Sequence, residues 1–204
     1  MKENKVFDII SNIIFVVLIV CSILLTVKNT CFIQIVVSGS SMSPTLTTNE
    51  YGYANKTQSA IDNIDRFDII IFDVTDGENT TGLIKRVVGL PGETIEFKGE
   101  NFDLYVDDVL VEQSFISLET QKKTGLNLNY GFSKDTPIKL DETSYFVLGD
   151  NRANSRDSLH GLGLVDKSQI VGVLVAIFGS CSSLNQKDDV LICEDKKIEN
   201  IRFF

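Results

Sequence analysis

Leu83-Ile84-Lys85-Arg86-Val87-Val88-Gly89-Leu90-Pro91-Gly92-Glu93 is the stretch on which the reading of the chain turns. Gly82–Val88 reads as a strand, and Leu90-Pro91-Gly92 as the turn that ends it. Alternate side chains of a strand share a face, so Leu83, Lys85 and Val87 point one way and Ile84, Arg86 and Val88 the other. A lysine between Leu and Val on its own face is desolvated, which disfavours the ammonium and lowers its pKa from about 10.4. At that ordinary value about one molecule in a few thousand is neutral at pH 7. Lowering it by about 3 units costs roughly 4 kcal/mol and yields a usable base. The competing reading is a lysine snorkelling to water at a strand edge.

Outward from this strand the chain reads as β structure. Short apolar stretches rich in Ile, Val, Phe and Tyr give strands at Phe32–Val37, Phe67–Phe72, Thr94–Phe97, Leu104–Val106, Tyr145–Leu148 and Ile170–Phe178. Asp76-Gly77 and Lys98-Gly99 mark turns, and Asp107-Asp108 reads as a two-residue hairpin turn. The polar stretch Glu119–Lys134 reads as an exposed loop or the tip of an insertion, and from Ser182 on the pattern is too weak to place.

The N-terminus is different. Ile9–Val27 carries no charge, and at about 1.5 Å per residue such a helix nearly spans a hydrocarbon core of roughly 30 Å. Lys2 and Lys5 precede it, which puts the N-terminus in the cytoplasm and the bulk of the chain outside the cell membrane. A cleaved leader is the alternative, but no Ala occurs before Ala54, and Ser38-Gly39-Ser40 lies well past the apolar run. The expected plan is a cytoplasmic N-terminus (1–8), an anchor (9–27), a mainly β exoplasmic core (28–98 and 143–180), a small inserted cap (99–142) and a tail (181–204).

The 204 residues carry a net charge of -9, 43% apolar and 23% charged residues, four Cys and one His. That excludes a disordered tail and a disulfide-dense miniprotein, and the acidic balance argues against nucleic-acid partners. One His and no C-x-x-C leave no pattern for a metal or zinc site, and no cofactor is expected. The four cysteines are read as unpaired thiols, although Cys181 and Cys193 could pair in an oxidising exterior.

Two further segments carry chemistry. Val37-Ser38-Gly39-Ser40-Ser41-Met42-Ser43-Pro44-Thr45-Leu46 follows a strand, and its small residues let the backbone turn sharply and bring hydroxyls near a surface. Gly149-Asp150-Asn151-Arg152-Ala153-Asn154-Ser155-Arg156-Asp157-Ser158-Leu159-His160-Gly161 is a dense polar loop after another strand. It reads either as a hydrogen-bonded structural turn or as a scaffold that orients a base and a nucleophile.

S-M-x-P-T-L, K-R-V-V-G-L-P-G-E and G-D-N-R-x-N-S-x-D-S, in that order behind one apolar anchor, closely resemble bacterial type I signal peptidase, from the anchor to about Phe178. Phe67-Asp68-Ile69-Ile70-Ile71-Phe72 is similar to the family's G-D-I-V-x-F, with Phe67 in place of Gly. The resemblance implies an antiparallel β-sheet or partial barrel with an inserted cap. It implies Ser41 as nucleophile, Lys85 as general base in a Ser/Lys dyad, and Ser155 as the hydroxyl that holds the lysine amine. Asp150, Arg152 and Asp157 match scaffold of that loop. Met42, Leu46, Leu83 and Ile84 match the lining of the pocket for the residue before the cut, and Ile35, Val37 and Ile84 that for the residue two further back. The implied substrates are exported preproteins with A-x-A-like junctions, bound as an added strand next to the lipid bilayer.

The chain departs from the pattern in three places. Gly39 stands where some members carry a serine that donates to the oxyanion. Leu159 stands where an Arg often pairs with the aspartate at Asp157. The segment from Glu93 to Tyr145 is short, as in Gram-positive enzymes. The competing readings are a Ser-His-Asp arrangement using His160 and Asp157, a self-cleaving Ser/Lys repressor, and a non-catalytic anchored module that binds signal peptides. The repressor needs a soluble DNA-binding head that is missing here, and endoplasmic-reticulum-type signal peptidases place His where Lys85 stands.

Overall fold

The computed structural model describes residues 2–126, 134–187 and 190–204. Helix α1 (Lys2–Cys31) runs without a linker into β1 (Phe32–Val36). Its segment Phe7–Cys31, 25 residues, is long and apolar enough to cross a membrane, and its side chains are exposed on all sides as far as Thr30. The helix therefore outruns the charge-free run Ile9–Val27 at both ends.

The larger sheet is antiparallel, in the order β1–β2–β11–β3–β4–β9–β10, with β12 paired to β11. It contains β2 (Glu50–Asn55), β3 (Ile69–Asp76), β4 (Asn79–Gly89), β9 (Ser144–Leu148), β10 (Val165–Asp166), β11 (Ile170–Lys187) and β12 (Val190–Phe203). Short α2 (Gln58–Asp62) leads from β2 towards β3 and is capped by the Thr57 side chain, which accepts from the Ala60 N–H. Ile69 to Phe72 are buried on both faces of β3, which explains that strand's unbroken apolar run. β3 begins after Phe67, not at it. Phe67 has φ 76°, outside the strand region, and its carbonyl accepts from Arg86 Nη1.

The smaller sheet, β7–β6–β5–β8, is made of β5 (Thr94–Lys98), β6 (Asp103–Val106), β7 (Val109–Val111) and β8 (Ile138–Lys139). β5 pairs only with β6 and β8, so this sheet starts at Thr94, before the expected boundary after Lys98. Asp107 and Asp108 both have positive φ, as a primed hairpin turn requires. Part of the expected exposed loop is ordered structure: α3 (Leu118–Lys122), capped by the Ser117 side chain, and a helical turn at Lys123–Gly125 that buries Thr124. Residues 127–133 of that loop lie outside the described residues.

The core has three main apolar clusters. Ile35, Val37, Met42, Leu46, Ile69 and Leu174 belong to the first, and Ile70, Phe72, Val87, Tyr145 and Val147 to the second. The third joins the two sheets, with Val88, Phe146 and Leu148 from the larger against Ile95, Phe97 and Leu104 from the smaller and Leu140 just after β8. This shared core fixes the smaller sheet against β4 and β9, the strands that carry the polar groups described next.

Two expectations about the C-terminal region are corrected. The unplaced tail is the second half of a long β11–β12 hairpin. Its pattern is weak because much of β12 is exposed, including Ile198, Ile201 and Phe203. Cys181 and Cys193 form a disulfide across that hairpin with their Cα atoms 5.7 Å apart, although Cys181 is in register with Lys196 and Cys193 with Leu184, and bulges shift the pairing between them. Cys21 and Cys31 are free thiols.

Candidate active site

Strand β4 carries two cations on opposite faces. Its register against β3 pairs Ile70 with Lys85 and Ile69 with Arg86, and paired residues share a face. Lys85 is 3% exposed, and its Nζ lies 2.8 Å from Ser41 Oγ and donates to the Ile84 carbonyl at 2.9 Å. Burial pushes the lysine pKa down to about 8, against the opposing charges of Asp157 and Asp150. This is the environment that its apolar flanks predict.

Ser41 sits in the turn between β1 and β2. Gly39, with φ 90°, makes a bend that other residues adopt only under strain. Beyond it, Ser43 N–H donates to Ser40 O (3.1 Å) and Leu46 N–H to Met42 O (2.9 Å), which closes the turn. The polar loop after β9 grips it from the other side. Asn151 N–H donates to Ser41 O (2.9 Å), and the Asn151 and Asn154 side chains donate to Ser40 O and Ser40 Oγ. Gly149 packs so closely here that a Cβ on it would lie 2.2 Å from Ser155 Oγ and 2.5 Å from Ser41 O.

The same loop is held from below. Arg86 Nε and Nη2 donate to the two oxygens of Asp150 (2.8 and 2.7 Å), and Thr45 Oγ1 donates to the same carboxylate. This bidentate pair is buried, and the guanidinium lies 4.2 Å from the Phe115 ring. Asp157, fully buried, accepts from Gly149 N–H and Leu159 N–H. Arg152 donates to Gly149 O, Thr124 Oγ1 and Gln113 Oε1, and burial pulls its pKa down to about 10.

Ser41, Lys85, Asp150, Arg152, Ser155 and Asp157 thus come together, but not with every contact that the sequence implies. Ser155 Oγ is buried with no hydrogen-bond partner among the described residues, so the implied hold on the lysine amine is absent from this arrangement. His160 Nδ1 faces Asp157 and Nε2 faces the Leu126 carbonyl, so neither ring nitrogen serves Ser41. Ile35, Val37, Met42, Leu46 and Ile84 gather in or on the first cluster. Leu83 packs against the second cluster instead, because neighbours in a strand face opposite ways.

The sequence reading missed Thr45, Asn151 and Asn154 as anchors of the turn. Asn151 and Asn154 lie in the polar loop it singled out, so their density of donors was the available signal. It also missed Arg202 of β12, which donates to Thr45 O (2.6 Å) and pairs with Glu50 (2.7 Å). Nothing in the weak pattern of the tail points to that contact.

A buried amine of lowered basicity, 2.8 Å from a hydroxyl that among the described residues no carboxylate or imidazole hydrogen-bonds, can take that hydroxyl's proton. Residues 9–179 match the family described as signal peptidase, peptidase S26. The chain is 37% identical over 191 residues to signal peptidase I P of Bacillus subtilis subsp. natto, covering 91% of this chain and 99% of that one. It is 33% identical over 190 residues to signal peptidase I of Bacillus licheniformis, covering 92% and 96%. A crystal structure of a signal peptidase I from Enterococcus faecalis is 32% identical, with a TM-score of 0.42, over 55% of this chain and 97% of that one.

Proposed function

Because this chain belongs to the signal peptidase family, peptidase S26, whose members are hydrolases that remove signal peptides from exported preproteins, we propose that Ser41 and Lys85 do the chemistry as a dyad through an acyl-enzyme. The observation that carries this reading is the 2.8 Å contact between Ser41 Oγ and the buried Lys85 Nζ. Neutral Lys85 takes the Ser41 proton as Oγ attacks the carbonyl at the end of the signal peptide. The Ser41 N–H donates to the oxyanion. The ammonium then protonates the leaving amine, which departs as the new N-terminus of the mature chain and leaves the signal peptide esterified to Ser41. The neutral lysine next takes a proton from water, whose oxygen attacks the ester, and returns it to Ser41 Oγ as the acid product leaves. Ser155, whose hydroxyl has no hydrogen-bond partner among the described residues, is available to the lysine as this charge moves.

The substrate binds as an added strand. β1 is a terminal strand of the larger sheet, and β9 pairs β4 only at Arg86–Gly89, which leaves the edge of β4 before Lys85 open. Apolar walls from Ile35, Val37, Met42, Leu46 and Ile84, already packed against one another, leave shallow pockets that suit an A-x-A junction. α1 anchors the enzyme in the cytoplasmic membrane, with Lys2 and Lys5 inside and the β domain on the outer face.

The test is a peptide spanning an A-x-A junction, offered to the detergent-solubilised full chain, with the cut located by mass spectrometry. Cleavage falls after the second Ala, and replacing that Ala by Leu lowers kcat/KM by about a hundredfold or more, since the buried side chains beneath the pocket cannot yield. Equal cleavage of both peptides would contradict this account of the pocket.

A further inference from the structure

Asp157 is a buried carboxylate in the loop that grips Ser41, and no arginine pairs with it. Leu159 occupies the place where the family pattern puts one, and that side chain is buried in the third apolar cluster. The next residue, His160, meets the carboxylate instead. Its Nδ1 lies 2.7 Å from Asp157 Oδ1, and its side chain is 9% exposed. Its Nε2 lies 2.9 Å from Leu126 O, a carbonyl that can only accept.

Both ring nitrogens therefore face acceptors. A neutral imidazole has one N–H and can serve only one of them, whereas an imidazolium serves both. We propose that His160 is a positioning residue whose imidazolium form ties the Gly149–His160 loop to the Lys123–Leu126 segment through Asp157 and the Leu126 carbonyl. Arg152 makes a second tie between the same two segments through Thr124 Oγ1. The tie reaches the site through Asp157, which accepts from Gly149 N–H, and through Gly149, which abuts Ser41 O and Ser155.

Among the described residues, the groups that act on the ring are Asp157 and Arg152 from its own loop and the Leu126 carbonyl from the segment packed against it. The hydrogen bond to Asp157 leads in raising its pKa above the ordinary histidine value, against burial and Arg152. Protonation of His160 and deprotonation of Lys85 are thus both required for the best-ordered reactive form.

The proposal rests on the peptidase reading for its consequence but not for its geometry, and the experiment separates the two. The chain has one histidine, so its imidazole signals need no assignment. Nitrogen-15 NMR of the solubilised full chain across a pH series gives the midpoint directly. It lies above about 6.5, with both ring nitrogens protonated below it. A midpoint at or below the ordinary value overturns the proposal whether or not the chain cleaves peptides.

The kinetic arm compares wild type with His160→Gln on the A-x-A peptide. The glutamine amide lacks the charge, so the ratio of kcat/KM values is about five- to tenfold below the imidazole midpoint and falls towards one above it. A ratio that stays constant across the pH range marks His160 as merely structural and overturns the proposal. Cleavage by neither protein, with the NMR midpoint raised, refutes the peptidase reading while the imidazolium tie stands.

Discussion

Lys85 sets the pH dependence at the scale of the residue. Burial lowers its pKa to about 8, and in the proposed dyad the neutral amine is the working form. In His160→Gln, where no imidazole titrates, the signal-peptide cleavage rate at saturating enzyme therefore rises with pH and reaches half its plateau near 8, read from single-turnover kinetics. A rate independent of pH from about 6 to about 9 would assign the proton transfer to another group. This property was legible in the sequence because it follows from strand alternation: Leu83 and Val87 flank Lys85 on its own face. The partners of Arg86 were not legible, because Asp150 lies far along the chain and only the sheet order brings β4 beside β9. Charge alone could not say which of the loop's two aspartates would take the guanidinium.

Between strands, the decisive element is the close approach of the β9 loop to the β1–β2 turn. Gly149 makes that approach possible, since a Cβ would meet both Ser155 Oγ and Ser41 O inside contact distance. Gly149→Ala must push the two apart, and a misplacement of that order lowers kcat/KM by about a hundredfold, with a stability loss of about 1–3 kcal/mol. Enzyme kinetics with denaturant unfolding on the same preparation measures both, and full activity in the variant would show that the loop does not position Ser41. Elements with strong apolar runs, such as β3 and β9, could be placed from sequence to within a few residues. β2 could not, because Gly52 interrupts its run, a residue kept where Ala176 O comes too close for any side chain. β12 escaped notice for a different reason. Its exposed outer residues remove the alternation that marks a half-buried strand, so the Arg202 contact to Thr45 could not be foreseen and the Cys181–Cys193 disulfide stood only as the alternative to free thiols.

Over the whole molecule, one apolar helix leads directly into a sheet whose first strand ends at the turn bearing Ser41. The smaller sheet shares the third cluster with β4 and β9, so it braces the strands that hold Lys85, Arg86 and the polar loop. A signal peptide leaving the bilayer would meet the site close to the membrane, because no linker separates α1 from β1. The order of the three polar motifs made this arrangement legible as a family resemblance, whereas composition alone gave only an anchored β domain. The central claim is that Ser41 and Lys85 together break the peptide bond. It is tested most directly by cleavage of an A-x-A junction peptide by wild type, Ser41→Ala and Lys85→Ala, each shown by circular dichroism to be folded. Wild type cuts, and each variant loses activity by at least about a thousandfold, as removal of a nucleophile or its base requires. Cleavage by either folded variant at a rate near that of wild type would contradict the dyad.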